Sequence, residues 1–242
     1  MNIQKQIIYS LSKFLAQSGV TSRRKAVDLV KSKTVTVNGI VVNEPGFKVT
    51  EADCVRVGQE LVRAEFKVYI ALNKPKDCIT TVSDDLGRKN VIDLIGEKIK
   101  QRVYPIGRLD RNTTGLLLLT NDGDMALRLS HPRFEVEKVY YVTLNKPFTK
   151  HHMQEILRGV TLEDGFIAVD QAAFFENESK KVVAVSLHSG KNRIVRRIFA
   201  HLGYEVTKLD RVAYAGLNKT GLKQGEWRYL TSEEISYLKQ NK

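Results

Sequence analysis

The chain has 242 residues, 42% hydrophobic and 27% charged, and its 39 Lys and Arg against 27 Asp and Glu leave a formal charge of +12. No run of about 18 apolar residues offers a helical membrane span, and the start MNIQKQIIYSLSKF has neither the apolar core nor the cleavage site of a secretory leader, so neither a membrane nor secretion is expected. Cys54 and Cys78 are the two cysteines and form no CxxC pair, which argues against a disulfide framework or a zinc site and for a reducing cytoplasm.

The positive excess attracts polyanions, of which nucleic acid is the commonest in a cytoplasm. It is uneven: residues 1–40 carry Lys5, Lys13, Arg23, Arg24, Lys25, Lys31 and Lys33 against Asp28 alone. Leu11 and Leu15, then Ala26, Val27 and Val30, fall at helical spacings, predicting two short helices broken at Gly19, with Thr21 or Ser22 capping the second. Val35–Val37 and Ile40–Val42 flank Asn38-Gly39, a strong signal for a tight hairpin, because a type I′ turn needs positive φ at both central residues. Two helices and a hairpin make about 50 residues, small for independent stability. They are read as an appended module, with a boundary in the 58–66 stretch. Ser22-Arg23-Arg24-Lys25 places three cations at a helix start, where amide donors also face outward and phosphate is well held.

Beyond residue 67 the pattern is mixed. Val68–Leu72, Leu116–Leu119, Tyr140–Leu144 and Val182–Leu187 read as strands. Residues 149–157 read as a helix stopped by Gly159. In 192–202, Val195, Ile198, Phe199 and Leu202 give a helical apolar face, with Arg193, Arg196 and Arg197 projected onto the opposite, cationic one. Strands and helices do not alternate strictly, so an α+β fold with a mostly antiparallel or mixed sheet flanked by helices is expected.

Several motifs fail on inspection. Residues 216–223 lack the Gly-Lys-Ser/Thr of a phosphate loop, residues 120–124 lack the spaced ligands of a calcium loop, and the five histidines show no metal spacing. What remains is residues 104–123, where Asp110 stands between Arg108 and Arg111 just ahead of an apolar strand. A nearby cation keeps an aspartate ionised against desolvation, and an ionised carboxylate can act as a nucleophile. Taken alone, such a segment also fits an Arg–Asp pair that merely caps a loop.

The wider pattern decides between these readings. LSKFLAQSGVTSRRKAVDLVKSKTVTVNGIVV resembles the αL RNA-binding motif first described in a small-subunit ribosomal protein. GRLDRNTTGLLLLTNDG, HPRFEVEKVYYVTL, GVTLEDG, SGKNRIVRRIFAHLGYEVTKLDRVAYAGL and GEWRYLTSEE are similar to RNA pseudouridine synthases. The similarity is to the branch that carries the αL motif and contains the A-type enzymes of the small ribosomal subunit and the B-type enzymes of the large one. The resemblance implies an RNA-binding domain at 1–62, with Lys13, Arg23, Arg24, Lys25 and Lys33 among its contacts, and a catalytic domain at 67–242. It implies that Asp110 is the catalytic carboxylate, that Tyr140 lies against the target base, and that Arg196 pairs with the aspartate beside an apolar Val195. Arg108 would sit near the flipped nucleotide, Lys74 matches the Lys-Pro of the first family motif, and Arg193 and Arg197 would help hold the substrate. Asp77 stands where relatives often have glycine; Lys191 and Ile194 replace an arginine and a polar residue.

The implied chemistry turns a uridine, flipped from its stack at a cost of a few kcal/mol, from a nitrogen-linked to a carbon-linked base. With no redox or phosphoryl step, neither cofactor nor metal is expected. The expected substrate is ribosomal RNA or a ribosome-assembly intermediate, with large-subunit RNA preferred over small-subunit RNA, and the expected state is a cytoplasmic monomer. The rival reading, a non-catalytic RNA-binding assembly factor, accounts for the charge and residues 9–57 and leaves Asp110, Tyr140 and Arg196 without a purpose.

Overall fold

The computed structural model describes residues 8–176 and 178–240; Lys5 and the outer ends of the 1–62 and 67–242 spans lie outside them. The chain divides into two compact units, Met1–Val68 with Lys100–Arg102, and Tyr69–Ile99 with Val103–Lys242.

The first unit contains β1 (Tyr9–Ser10), α1 (Leu11–Gln17), α2 (Arg23–Lys31), β2 (Val35–Val37), β3 (Ile40–Val41), β4 (Lys48–Val49), β5 (Val55–Val57) and β6 (Glu60–Leu61). Gly19 leaves α1 at φ +75°, and the Ser22 side chain accepts the Lys25 amide to cap α2. Asn38 and Gly39 both take positive φ, as the I′ turn demands. The hairpin is half of a four-stranded sheet ordered β3-β2-β5-β6. The 58–66 stretch is therefore not a linker from its first residue, since Glu60 and Leu61 pair back onto Val57 and Arg56. Leu11, Leu15, Ala26, Val30, Val35, Val49 and Val55 are fully buried in one cluster, the leucines and valines each contributing roughly 1.5–3 kcal/mol.

The second unit contains β7 (Tyr69–Lys74), α3 (Val91–Ile95), β8 (Tyr104–Pro105), β9 (Thr114–Thr120), α4 (Gly123–Ser130), β10 (Lys138–Leu144), α5 (Lys150–Arg158), β11 (Val160–Leu162), β12 (Gly165–Ile167), β13 (Gln171–Phe174), β14 (Val182–Leu187), α6 (Ile194–His201), β15 (Val206–Tyr214), β16 (Leu217–Asn218), β17 (Trp227–Tyr229) and α7 (Ser232–Gln240). Its nine-stranded sheet runs β13-β14-β10-β15-β9-β7-β17, with β16 on β15 and β8 on β9. All these neighbours are antiparallel except β15 and β9, which run parallel through Asp210↔Thr114 and Arg211↔Gly115. Leu116 and Leu118 face a core shared with Met125 and Leu129 of α4 and Leu238 of α7, while Leu117 and Leu119 are fully buried on the other face. Burial on both faces explains why this strand reads as an unbroken apolar run. The acidic stretch at 120–124 serves the fold: Asp122 caps α4 by accepting the amides of Asp124 and Met125.

Candidate active site

Asp110 sits on a tight turn between β8 and β9, closed by the Thr113 amide donating to the Asp110 carbonyl at 3.0 Å. The turn is fixed from two further sides. The Thr80 hydroxyl donates to the Leu109 carbonyl at 2.8 Å, and the ammonium of Lys74 donates to the Arg111 carbonyl at 3.2 Å. Lys74 also donates to the carbonyls of Pro75 and Cys78 and is fully buried. Its placement corrects the expectation of a substrate contact: Lys74 ties the Lys-Pro loop to the aspartate turn from behind. Burial pulls Lys74 down to about 8, against Cys78, Asp110 and Asp77, which act to raise it. Asp77 adopts φ +59° in this loop, a left-handed position that glycine fills without strain.

Asp110 opens onto a cavity of about 140 Å³, whose lining includes Arg108, Tyr140, Val195, Lys138, Arg211 and Tyr214. An apolar cavity of roughly 150 Å³ takes a benzene ring in another protein, so the space is of six-membered-ring size. The floor is built by β10 and β15. Tyr140 lies directly opposite Arg211, and the register slips by one residue between Val139 and Tyr140, because Val212 is the extra residue of a β-bulge. A bulge resets the alternation of side chains. Leu209 and Arg211 share a face by the ordinary period of two, and the inserted residue brings Tyr214 onto it as well.

The sequence reading did not single out Lys138 and Arg211. Lys138 donates to the carbonyls of Val136 and His188, and burial, with Arg211 second, pulls it down to about 8. The Tyr214 hydroxyl donates to the Leu129 carbonyl at 2.7 Å, and burial pushes it up to about 12.

The three arginines do not share one outward face. Arg193 precedes α6 in a left-handed conformation at φ +48°, so helical projection does not apply to it. Its Nη1 lies 3.9 Å from Asp110 Oδ2, with the Asp110 side chain 34% exposed. Arg196, expected to pair with Asp110, instead donates from Nη1 to the Val206 carbonyl at 2.7 Å. Burial lowers the pKa of Arg196, Arg193 lowers it further, and Asp110 opposes them. Arg197 is bound through both terminal nitrogens to Asp164, away from the cavity. Arg111 pairs with Asp77 at 3.3 Å and not with Asp110, while exposed Arg108 lies at the cavity rim. A larger groove of about 1020 Å³ meets the site at Asp110 and is lined by Lys76, Arg111, Arg193, Arg196 and Lys208. In the first unit Arg23, Arg24, Lys25 and Lys33 are exposed, and the Lys13 ammonium sits 5.8 Å from the centre of the Tyr9 ring.

A family model described as RNA pseudouridylate synthase matches residues 68–201. The chain belongs to that family. This pseudouridine synthase also matches an S4 domain model over residues 10–55, the segment read as the αL module. It is 44% identical over 232 residues to the ribosomal large subunit pseudouridine synthase B of Bacillus subtilis (strain 168), covering 95% of each chain. It is 36% identical to the dual-specificity RNA pseudouridine synthase RluF of Escherichia coli (strain K12), covering 93% of this chain and 76% of the relative. A crystal structure described as a pseudouridylate synthase superposes with a TM-score of 0.67 at 28% identity, covering 94% of this chain and 98% of that one.

Proposed function

We propose that this pseudouridine synthase isomerises one uridine of large-subunit ribosomal RNA, acting as a cytoplasmic monomer. Residues 67–242 carry the chemistry and residues 1–62 hold RNA. The observation that carries the reading is the shared cavity: Asp110 on the β8–β9 turn and Tyr140 on β10 open on one ring-sized space with Val195 beside them. Asp110 is the catalytic carboxylate, with Arg193 the cation in ion-pair reach. Tyr140, 8% exposed, offers its ring to the flipped base. Val195 closes the apolar side, and Arg108, Arg193 and the exposed cations of the first unit meet phosphate, which positions the RNA without reading its sequence. Arg196 is placed to hold the strand start at Val206 near the aspartate, and Lys74 to hold the aspartate turn. The large-subunit choice rests on the 44% identity to the Bacillus subtilis enzyme named for that particle.

The test is tritium release from ribosomal RNA labelled at carbon five of uridine. Asp110→Asn is expected to abolish release while RNA affinity stays within a few-fold; retained turnover refutes the assignment. Carbodiimide mapping of both ribosomal RNAs from a deletion strain then names the uridine. A site lost from small-subunit RNA, with none lost from large-subunit RNA, overturns the choice between them.

A further inference from the structure

Arg211 stands in the interior of β15 and is 3% exposed. Its Nε donates to the Leu116 carbonyl at 2.8 Å, and its guanidinium carbon lies 4.3 Å from the centre of the Tyr214 ring. Nη2 is buried with no hydrogen-bond partner. A buried cation with an unmet donor is costly wherever it occurs, and nothing in the sheet meets this one. Arg211 lines the cavity that holds Asp110 and lies directly across from Tyr140. Lys138 sits on the same floor with two of its protons committed to carbonyls. The exposed cations Arg108, Lys191 and Arg193 are at the rim. Depth therefore sorts the charges: rim cations suit phosphate, whereas a buried guanidinium with one donor unmet, beside a ring-sized space, suits an acceptor on the base itself.

We infer that Arg211 is a further catalytic residue, binding a carbonyl oxygen of the uracil in the cavity and stabilising the negative charge that gathers there as the glycosidic bond breaks. The inference rests on the pseudouridine-forming reading above. When the C1′–N1 bond of uridine breaks, its electron pair stays with N1 and spreads through the ring onto O2 and O4. After the base turns, C5 supplies the pair for the new bond to C1′. The C5 proton then leaves and N1 takes up a proton, so no electron is gained or lost. A donor fixed on such an oxygen binds the anion more strongly than the neutral carbonyl, and so favours the transition state over the ground state. Lys138, half-buried on the same cavity lining, adds a second positive charge.

The test uses the full chain and a transcript spanning the uridine found by mapping, made with uridine or with 5-fluorouridine at that position, and follows consumption of the original nucleoside; for the fluorinated base, which has no C5 proton to lose, this is read in a single turnover with enzyme in excess. Fluorine stabilises the base anion by itself, so the fluorinated substrate needs the arginine less. Arg211→Gln is expected to lower kcat on uridine by about 100-fold or more, with KM within about three-fold. On 5-fluorouridine the loss is expected to shrink by about ten-fold. Arg211→Lys, which keeps the charge, is expected to recover part of the uridine rate. An unchanged kcat overturns the inference. So does an equal loss on both substrates in both variants, the pattern of a purely structural arginine. Absence of wild-type turnover on the transcript is a distinct result, which overturns the isomerase reading and this inference with it.

Discussion

Replacing Gly115 by alanine tests the joint on which the site is built. Gly115 is the partner of Arg211 in the parallel pairing of β9 with β15 and holds φ +110°. A side chain in that region costs about 1–3 kcal/mol. A Cβ there would also stand 2.2 Å from the Arg211 carbonyl oxygen and 2.5 Å from its amide nitrogen. These are backbone atoms of a central strand and cannot swing aside, so overpacking adds about 1–3 kcal/mol more. The sum, roughly 2–6 kcal/mol, corresponds to a fall of roughly 4–24 °C in melting temperature for a domain of this size. Gly225 supplies the control: its φ is +86° and nothing lies within 4 Å of a Cβ built there, so Gly225→Ala carries the backbone cost alone. Thermal melts of the RNA-free enzyme, read beside tritium release, separate the two. Gly115→Ala should melt below Gly225→Ala and lose more activity, because the displaced strand carries Arg211. Equal melting temperatures would refute the reasoning.

Other changes probe other parts. Lys74→Met removes the donor shared by the carbonyls of Pro75, Cys78 and Arg111 and should destabilise by roughly 3 kcal/mol or more in urea unfolding; a loss below about 1 kcal/mol would contradict its structural role. Glu234 accepts both terminal nitrogens of Arg228 and the Thr231 amide at the start of α7, and the Arg228 bond holds its carboxyl below the ordinary 4.5. Its contribution is therefore complete above pH 4.5 and lost as pH falls through the lower folded value; the gap to Glu234→Gln, roughly 1 kcal/mol at about pH 7, should close on acidification, and a gap that persists down to about pH 2 counts against the pair. Deleting residues 1–62 should weaken RNA binding and reduce the slope of log affinity against log salt by about 0.7–0.9 for each phosphate no longer neutralised. Circular dichroism should show the remaining chain folded. An unchanged slope, or an unfolded product, would remove the assignment of these residues as a separate RNA-holding domain.

What could be read in advance was what is decided locally. Asn38-Gly39 makes its turn from its own backbone preferences, Ser22 caps α2 from three residues away, and the leucines of β9 declare a strand buried on both faces. Strand β15 escaped because Lys208, Asp210 and Arg211 interrupt any apolar period, although it lies at the heart of the sheet. Its polar groups find tertiary partners: the Asp210 carboxylate accepts from the Thr114 hydroxyl and the Lys219 ammonium, and Arg211 donates from Nε to the Leu116 carbonyl while its Nη2 stays unmet. Depth was equally invisible. Lys74 and Arg108 carry the same formal charge, yet one is sealed behind the aspartate turn and the other stands at the rim. The arginines of 193–197 were misassigned because a wheel projection presumes that all three are helical, and Arg193 is not.

The side-by-side run of β15 and β9 also governs when this molecule can become active during its own synthesis. Asp110 is translated about a hundred residues before Arg211, and a parallel pairing over that separation must wait for its second partner, with the slow closure that distant contacts impose. Ribosomes add roughly 5–20 residues per second, so for several seconds the nascent polypeptide carries its aspartate with no pocket around it. Trp227–Tyr229 must then join β7 near the start of the same unit. A truncated translation product ending before residue 206 therefore retains Asp110 and lacks the β15 side of the cavity that Asp110 opens onto.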